Sequence, residues 1–351
     1  MIWKLGTINN PLKGQNMIRK VSAAVCIAAT VLIGAGVLQA QQRNYTTRIV
    51  GNHADEVLGV FVNEENTMVA TCSLDETIKL WSLPDGKMIR TLTGHTAQVN
   101  NLSFSGNDKS LASASNDRTV RIWDIATGKQ KQVLRGHTAE VIGVYYSPIE
   151  GSNVVASTSF DKTVKLWDAE LGIEIKTLRG HSMQTNNVAY SYDGKYIASC
   201  SDDRTIVIWS ADFGKKEPLM TLRGHSAPVL TVLYSFDSKY LASSDQNGVI
   251  KIWSMPSGEL LRTINAHTEL VQDLSFAEDN TLVSASLDKT VKMWNISTGE
   301  NLLSQDVGVE VWSIDLISNA GIIILGCADG SVRFMVDQNS ESGRNNRGGG
   351  R

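Results

Sequence analysis

Residues 94–136 read GHTAQVNNLSFSGNDKSLASASNDRTVRIWDIATGKQKQVLRG. After the opening Gly94-His95, the apolar positions Val99, Leu102 and Phe104 mark a short strand. Gly106-Asn107-Asp108 makes a turn, since Gly accepts left-handed backbone and Asn and Asp bond their own main chain. LASAS (111–115) alternates small and apolar residues as a second strand, and Asn116-Asp117-Arg118 turns tightly. TVRIWD (119–124), with its β-branched residues, is a third strand. Ala126-Thr127-Gly128 turns again, and Gln132-Val133-Leu134 is a fourth strand that runs into the next Gly136-His137.

The unit recurs. All six histidines fall at its opening, at His53, His95, His137, His181, His225 and His267, with spacings of 42, 42, 44, 44 and 42 residues. Six of the eight tryptophans close its third strand, at Trp81, Trp123, Trp167, Trp209, Trp253 and Trp294. Four short strands with turn chemistry at this period are the pattern of one propeller blade. Gly-His at 94–95, 136–137, 180–181 and 224–225, with Trp-Asp at 123–124 and 167–168, resembles the WD40 repeat. Other units depart from it: Asn52-His53 and Ala266-His267 open two, and Trp-Ser or Trp-Asn replaces the dipeptide in four. The resemblance covers 45–336. A seventh unit is degraded: VEVWSIDLI (309–317), IIILGC (322–327), Asp329-Gly330 and SVRFM (331–335) keep strands and turn but lose the His and Trp. It lacks a fourth strand, and TTRIVGNH (46–53) aligns with the end of a unit, IRTLTGH (89–95). The expected fold is therefore all-β, a seven-bladed WD40 β-propeller closed by an N-terminal strand that completes the last blade.

The resemblance implies a buried hydrogen-bonded set in each blade, of His, turn Asp, a second-strand Ser or Thr, and Trp. In the second unit these are His95, Asp117, Ser113 and Trp123, and the turn aspartates elsewhere are Asp75, Asp161, Asp203 and Asp288. Trp only donates and an ionised Asp only accepts, so His and Ser can link them. The fifth unit has Asn247 at the turn, which predicts a weaker set there. Six recurrences argue for a structural role, since a catalytic set would occur once. No Gly-rich phosphate loop, HExxH, GxSxG or metal-ligand cluster is found, so neither catalytic residue nor metal nor cofactor is expected.

In WD40 rings the residue before the turn Asp commonly faces the upper opening. Here Leu74, Phe160 and Leu287 are apolar at that place. Glu56, Glu140, Glu269 and, by alignment, Glu310 follow the blade openings on the same rim. Apolar anchors in an acidic rim suit a basic or Arg-containing peptide; a generically solvated face is the alternative. Thus a protein- or peptide-binding scaffold is expected, with a permanent structural part in a cell-envelope assembly as the alternative and an enzyme with a channel site as the less favoured reading. The ring is expected to be monomeric.

The first forty residues carry Lys4, Lys13, Arg19 and Lys20 and no acid; without them 29 basic residues face 36 acidic ones. So acidic a chain is a poor partner for nucleic acid, whose affinity rests on Lys and Arg. The four cysteines, Cys26, Cys72, Cys200 and Cys327, form no disulfide or zinc spacing. Residues 17–40, MIRKVSAAVCIAATVLIGAGVLQA, have the charged, apolar, small-residue layout of a bacterial secretory signal, with a signal anchor as the alternative. That predicts export to the periplasm or beyond, with a membrane tether only if the segment stays uncleaved. Residues 1–16 read as an upstream extension, or as a misassigned start with Met17 the true one. Residues 337–351, ending SGRNNRGGGR, read as a disordered, solvated Gly/Arg tail.

Overall fold

The computed structural model describes residues 44–340 except 213, 216, 278–280 and 318–319. The signal-like segment, the upstream extension and the Gly/Arg tail beyond 340 lie outside the described residues. Among the described residues the regular elements are 28 strands, grouped in seven antiparallel four-stranded sheets. Six sheets use consecutive strands, such as Val99–Phe104, Ser110–Ser115, Thr119–Asp124 and Gln130–Arg135 in blade 2. The seventh combines Val311–Ile317, Ile322–Cys327 and Ser331–Asp337 with β1 (Tyr45–Asn52), which pairs antiparallel to the last of these from Tyr45↔Asp337 to Asn52↔Ser331. The strand donated from the far end of the ring sequence removes the open edge a linear array would leave.

Within each blade the second and third strands are buried on both faces; Ser110–Ser115 and Ile322–Cys327 have no exposed residue. Their small and β-branched side chains pack between sheets, so the core is a series of clusters between neighbouring blades. One such cluster joins Ala112, Ala114, Val120, Ile122 and Leu134 of blade 2 to Val141, Val144, Tyr146 and Trp167 of blade 3.

The innermost pair of every blade carries a β-bulge at the same place, as between Val99 and Asn101 or Val311 and Ser313. A bulge adds one residue and re-aims it. The added residues are Leu58, Asn100, Ile142, Asn186, Leu230, Gln272 and Trp312, one per blade.

Side chains also tie blades together. On the inner strands, Asp273 of blade 6 accepts from Ser313 Oγ (2.7 Å) and the Ile314 amide (3.1 Å) of blade 7. Asp315 of blade 7 accepts from Ser275 Oγ of blade 6 (3.1 Å) and the Val62 amide of blade 1 (2.8 Å). On the outer strands, a long side chain reaches the turn of the next blade: Arg90 to the Ala126 carbonyl (3.1 Å), Gln132 to that of Glu170 (2.9 Å), and Arg48 of the donated strand to that of Pro84 (3.0 Å). Arg48 thereby closes the ring from blade 7 to blade 1.

Candidate functional site: the blade networks and the upper rim

Each of the first six blades contains a linked set. Trp Nε1–H donates to the hydroxyl of Thr71, Ser113, Ser157, Ser199, Ser243 or Ser284 at 2.8–2.9 Å. That hydroxyl lies 2.7–2.9 Å from His Nε2, and His Nδ1 lies 2.7–3.1 Å from an Asp carboxylate. Three protons suffice: Trp donates to the hydroxyl, the hydroxyl to Nε2, and Nδ1–H to Asp. This requires neutral histidine. Burial lowers His53 and His95, and takes His267 down to about 4, although Asp75, Asp117 and Asp288 pull the other way. For Asp75, burial alone would raise the carboxyl, but the Thr77 hydroxyl, the Ala54 amide and His53 hold it down at about 2.

The expectation of a weakened set in the fifth blade is corrected. His225 Nδ1 bonds Asp245 Oδ2 at 2.7 Å, and both side chains are buried. Asp245 ends its strand two residues before Asn247, at the place of Ser115 in blade 2, and its Oδ1 accepts from the Asn247 and Val249 amides. The carboxylate thus reaches the same histidine from a different position. In the seventh blade Asp329, with no His to meet, pairs with Arg333 and accepts from the Ser331 amide.

The glycine before the histidine has a packing reason: a Cβ on Gly180 would lie 2.6 Å from Trp209 Cη2. In blade 1, where Asn52 precedes His53, a bulge shifts the strand and Gly51 makes this approach to Trp81 instead.

At the end of the ring bearing the His loops and Asp turns, a cavity of about 580 Å³ opens where blades 6, 7 and 1 meet. Glu56, Glu269 and Glu310 line it with Leu287, Lys289 and Trp312. Leu74 lies beside it on blade 1, its amide bonded to the Glu56 carbonyl at 3.0 Å, but does not line it. Phe160 and Glu140 sit together on blade 3, joined by a 3.0 Å backbone bond, away from this cavity. Of the seven rim residues singled out from the sequence, the cavity gathers Glu56, Glu269, Glu310 and Leu287.

Sequence reasoning missed Trp312. It is the bulge residue of blade 7, and its buried Nε1–H lies toward the Glu56 carboxylate, outside strict hydrogen-bond geometry but close enough to pull that carboxyl down. The available signal was a tryptophan out of step with the other six. Glu56 is pushed up by burial and by the neighbouring carboxylates Asp55 and Glu310. The nearest compensation is Lys289, 3.6 Å from Glu310 in a half-exposed pair of the kind that contributes little. The cavity therefore holds an excess of negative charge next to an aromatic face. Among the described residues no cluster of three or more His, Cys, Asp or Glu side chains could hold a metal ion. Cys72, Cys200 and Cys327 are buried free thiols.

Comparison with known proteins agrees with this architecture. Residues 117–345, well over half the chain, match the family described as IFT122 first beta-propeller. Residues 44–82 and 86–124 match WD domain, G-beta repeat. A 58-residue stretch is 41% identical to WD repeat and SOCS box-containing protein 1 of Homo sapiens, covering 16% of this chain and 14% of that protein. A 78-residue stretch is 36% identical to WD repeat-containing protein 89 homolog of Dictyostelium discoideum, covering 22% and 21%. A further 64 residues are 36% identical to the Lissencephaly-1 homolog of Caenorhabditis briggsae, covering 18% and 16%. The chain thus spans about a fifth or less of the length of these relatives. Six complete His-Asp-Trp blades, a seventh closed by the N-terminal strand and a family match across most of the ring make this chain a member of the WD40-repeat β-propeller family.

Proposed function

We propose that this ring is a protein-binding scaffold that works without catalysis and takes a cationic side chain of an extended partner into the cavity between blades 6, 7 and 1. The observation that carries this reading is the convergence of Glu56, Glu269 and Glu310 on Trp312 and Leu287 in one cavity. A Lys or Arg would relieve the repulsion that raises Glu56, and its aliphatic stem would cover Leu287 and the indole.

Titration calorimetry with short peptides differing only in one central Arg, Lys or Gln tests this. Binding should favour Arg and Lys over Gln by at least tenfold and weaken as pH falls through the raised range of Glu56. Equal binding of the Gln peptide would remove the cationic ligand from the account.

We further propose that the ring acts outside the cytoplasmic membrane, in the periplasm or beyond. The support is the layout of 17–40, with Arg19-Lys20 before an uncharged run from Val21 to Leu38 and Ala40 at its end. N-terminal sequencing of the protein recovered from cells tests it. A start near Gln41 in the periplasmic or extracellular fraction is expected, and recovery of the ring in the cytoplasmic fraction would contradict it.

A further inference from the structure

The opposite end of the channel has its own chemistry, independent of the upper cavity. Tyr192 of blade 4 and Phe236 of blade 5 lie with ring centroids 5.0 Å apart and are 39% and 49% exposed. Ile149 of blade 3, 51% exposed, packs over Gly194 on the same loop as Tyr192. Facing them are carboxylates from the other side of the ring: Glu64 in the first loop of blade 1, and Asp315 near the lower end of the inner strand of blade 7. These two are the acids that bear on the phenols of both Tyr145 and Tyr192. Lys195 and Lys239, the lysines of the neighbouring loops, are held by Asp193 (2.9 Å) and Asp237 (3.1 Å) of their own turns. The mouth is thus aromatic and exposed on one side and acidic on the other.

The chain leaves the ring at this same end. The last strand runs downward to Asp337, whose amide bonds the Gly321 carbonyl at 2.9 Å, and Ser340 packs beside Gly321 in the first loop of blade 7. Residues 341–351, ESGRNNRGGGR, follow, with three arginines against one glutamate. From the third to the first strand of a blade is about 10 Å. Eleven residues extend up to roughly 36 Å, which is ample to reach the mouth.

We propose that the arginine-bearing segment 341–351 docks on the lower mouth of its own ring, one guanidinium lying over Tyr192 and Phe236 and facing Glu64 and Asp315. Guanidinium suits the place because it stacks on aromatic faces and is weakly hydrated. Four glycines let the segment follow the loops closely. Tethering supplies a millimolar effective concentration, so a weak contact suffices to hold it.

The test uses fluorescein-labelled SGRNNRGGGR as the probe, measured by anisotropy against the full chain and the chain ending at Ser340. The shortened chain should bind the probe at least tenfold more tightly, because the tethered copy no longer competes. Glu64→Gln and Phe236→Ser, both at exposed positions, should each weaken probe binding to the shortened chain several-fold with unchanged Tm. A probe with its arginines replaced by glutamine should not bind. Equal probe binding to both chains would show a mouth open to other molecules and overturn the proposal. Absence of binding to the shortened chain, or equal binding of the Gln probe, would overturn it as well.

Discussion

Ser113 serves two groups that have no other partner. Its hydroxyl accepts from Trp123 Nε1 and lies 2.7 Å from His95 Nε2. Ser113→Ala should cost about 1–3 kcal/mol for each group orphaned, read as a lowered urea midpoint with unchanged m. In blade 5 the correction gives a paired test. Asp245→Asn should destabilise the ring, because Asp245 is the fully buried partner of His225. Asn247→Ala should change stability by less than about 0.5 kcal/mol, as surface positions generally do. The reverse order would return the turn residue to the network. The sequence misled here because alignment preserves place along the chain, whereas a hydrogen bond needs only an oxygen within reach of Nδ1.

At the scale of strands, most of the architecture was legible. Four strands per unit and the donated β1 follow from turn residues and apolar spacing that recur too often for chance. The bulge was also written in the sequence. Val99, Leu102 and Phe104 step by three and then two, as do Val311, Ile314 and Leu316, and an extra residue in the inner strand produces that step. Only the burial of both neighbours reveals that the residue added in blade 7 is Trp312. The outer clamp was not legible, because Arg48 and Arg90 look like any exposed cations on an edge strand. Arg48→Ala should weaken the closure specifically. Hydrogen exchange should rise in β1 and its partner Ser331–Asp337, while Ser110–Ser115 of blade 2 stays protected. Uniform exchange across the blades would deny Arg48 its role in closing the ring.

For the whole ring, two sets of buried groups give opposite pH dependence. His53, His95 and His267 have folded-state values below their ordinary one, with His267 at about 4. The unfolded chain takes up protons first, so their contribution is complete above about pH 6.5 and is lost as pH falls toward 4. Asp273 and Asp315 lie the other way, pushed up to about 7 and about 6 chiefly by burial, against the hydrogen bonds they accept. Their contribution is present at low pH and is lost as pH rises through those values. Asp273→Asn fixes the uncharged state, so its stability relative to the parent should improve between pH 5 and pH 8 by about 1–3 kcal/mol. Urea titrations at the two pH values read this directly, and a pH-independent difference would contradict the assignment.

The binding cavity belongs to this scale too, since Glu56, Glu269 and Glu310 are brought together only when β1 closes the ring. In sequence, Glu56 and Glu310 stand more than 250 residues apart, and Glu140 looked as suitable as either. The most direct test of the scaffold reading is partner recovery from native extract on the immobilised ring. Lysine would replace Glu56, Glu269 and Glu310 together in one variant and Glu140 alone in another. Loss of the partner with the triple variant, with full recovery on Glu140→Lys, is the predicted result. Equal recovery on all three rings would contradict the account.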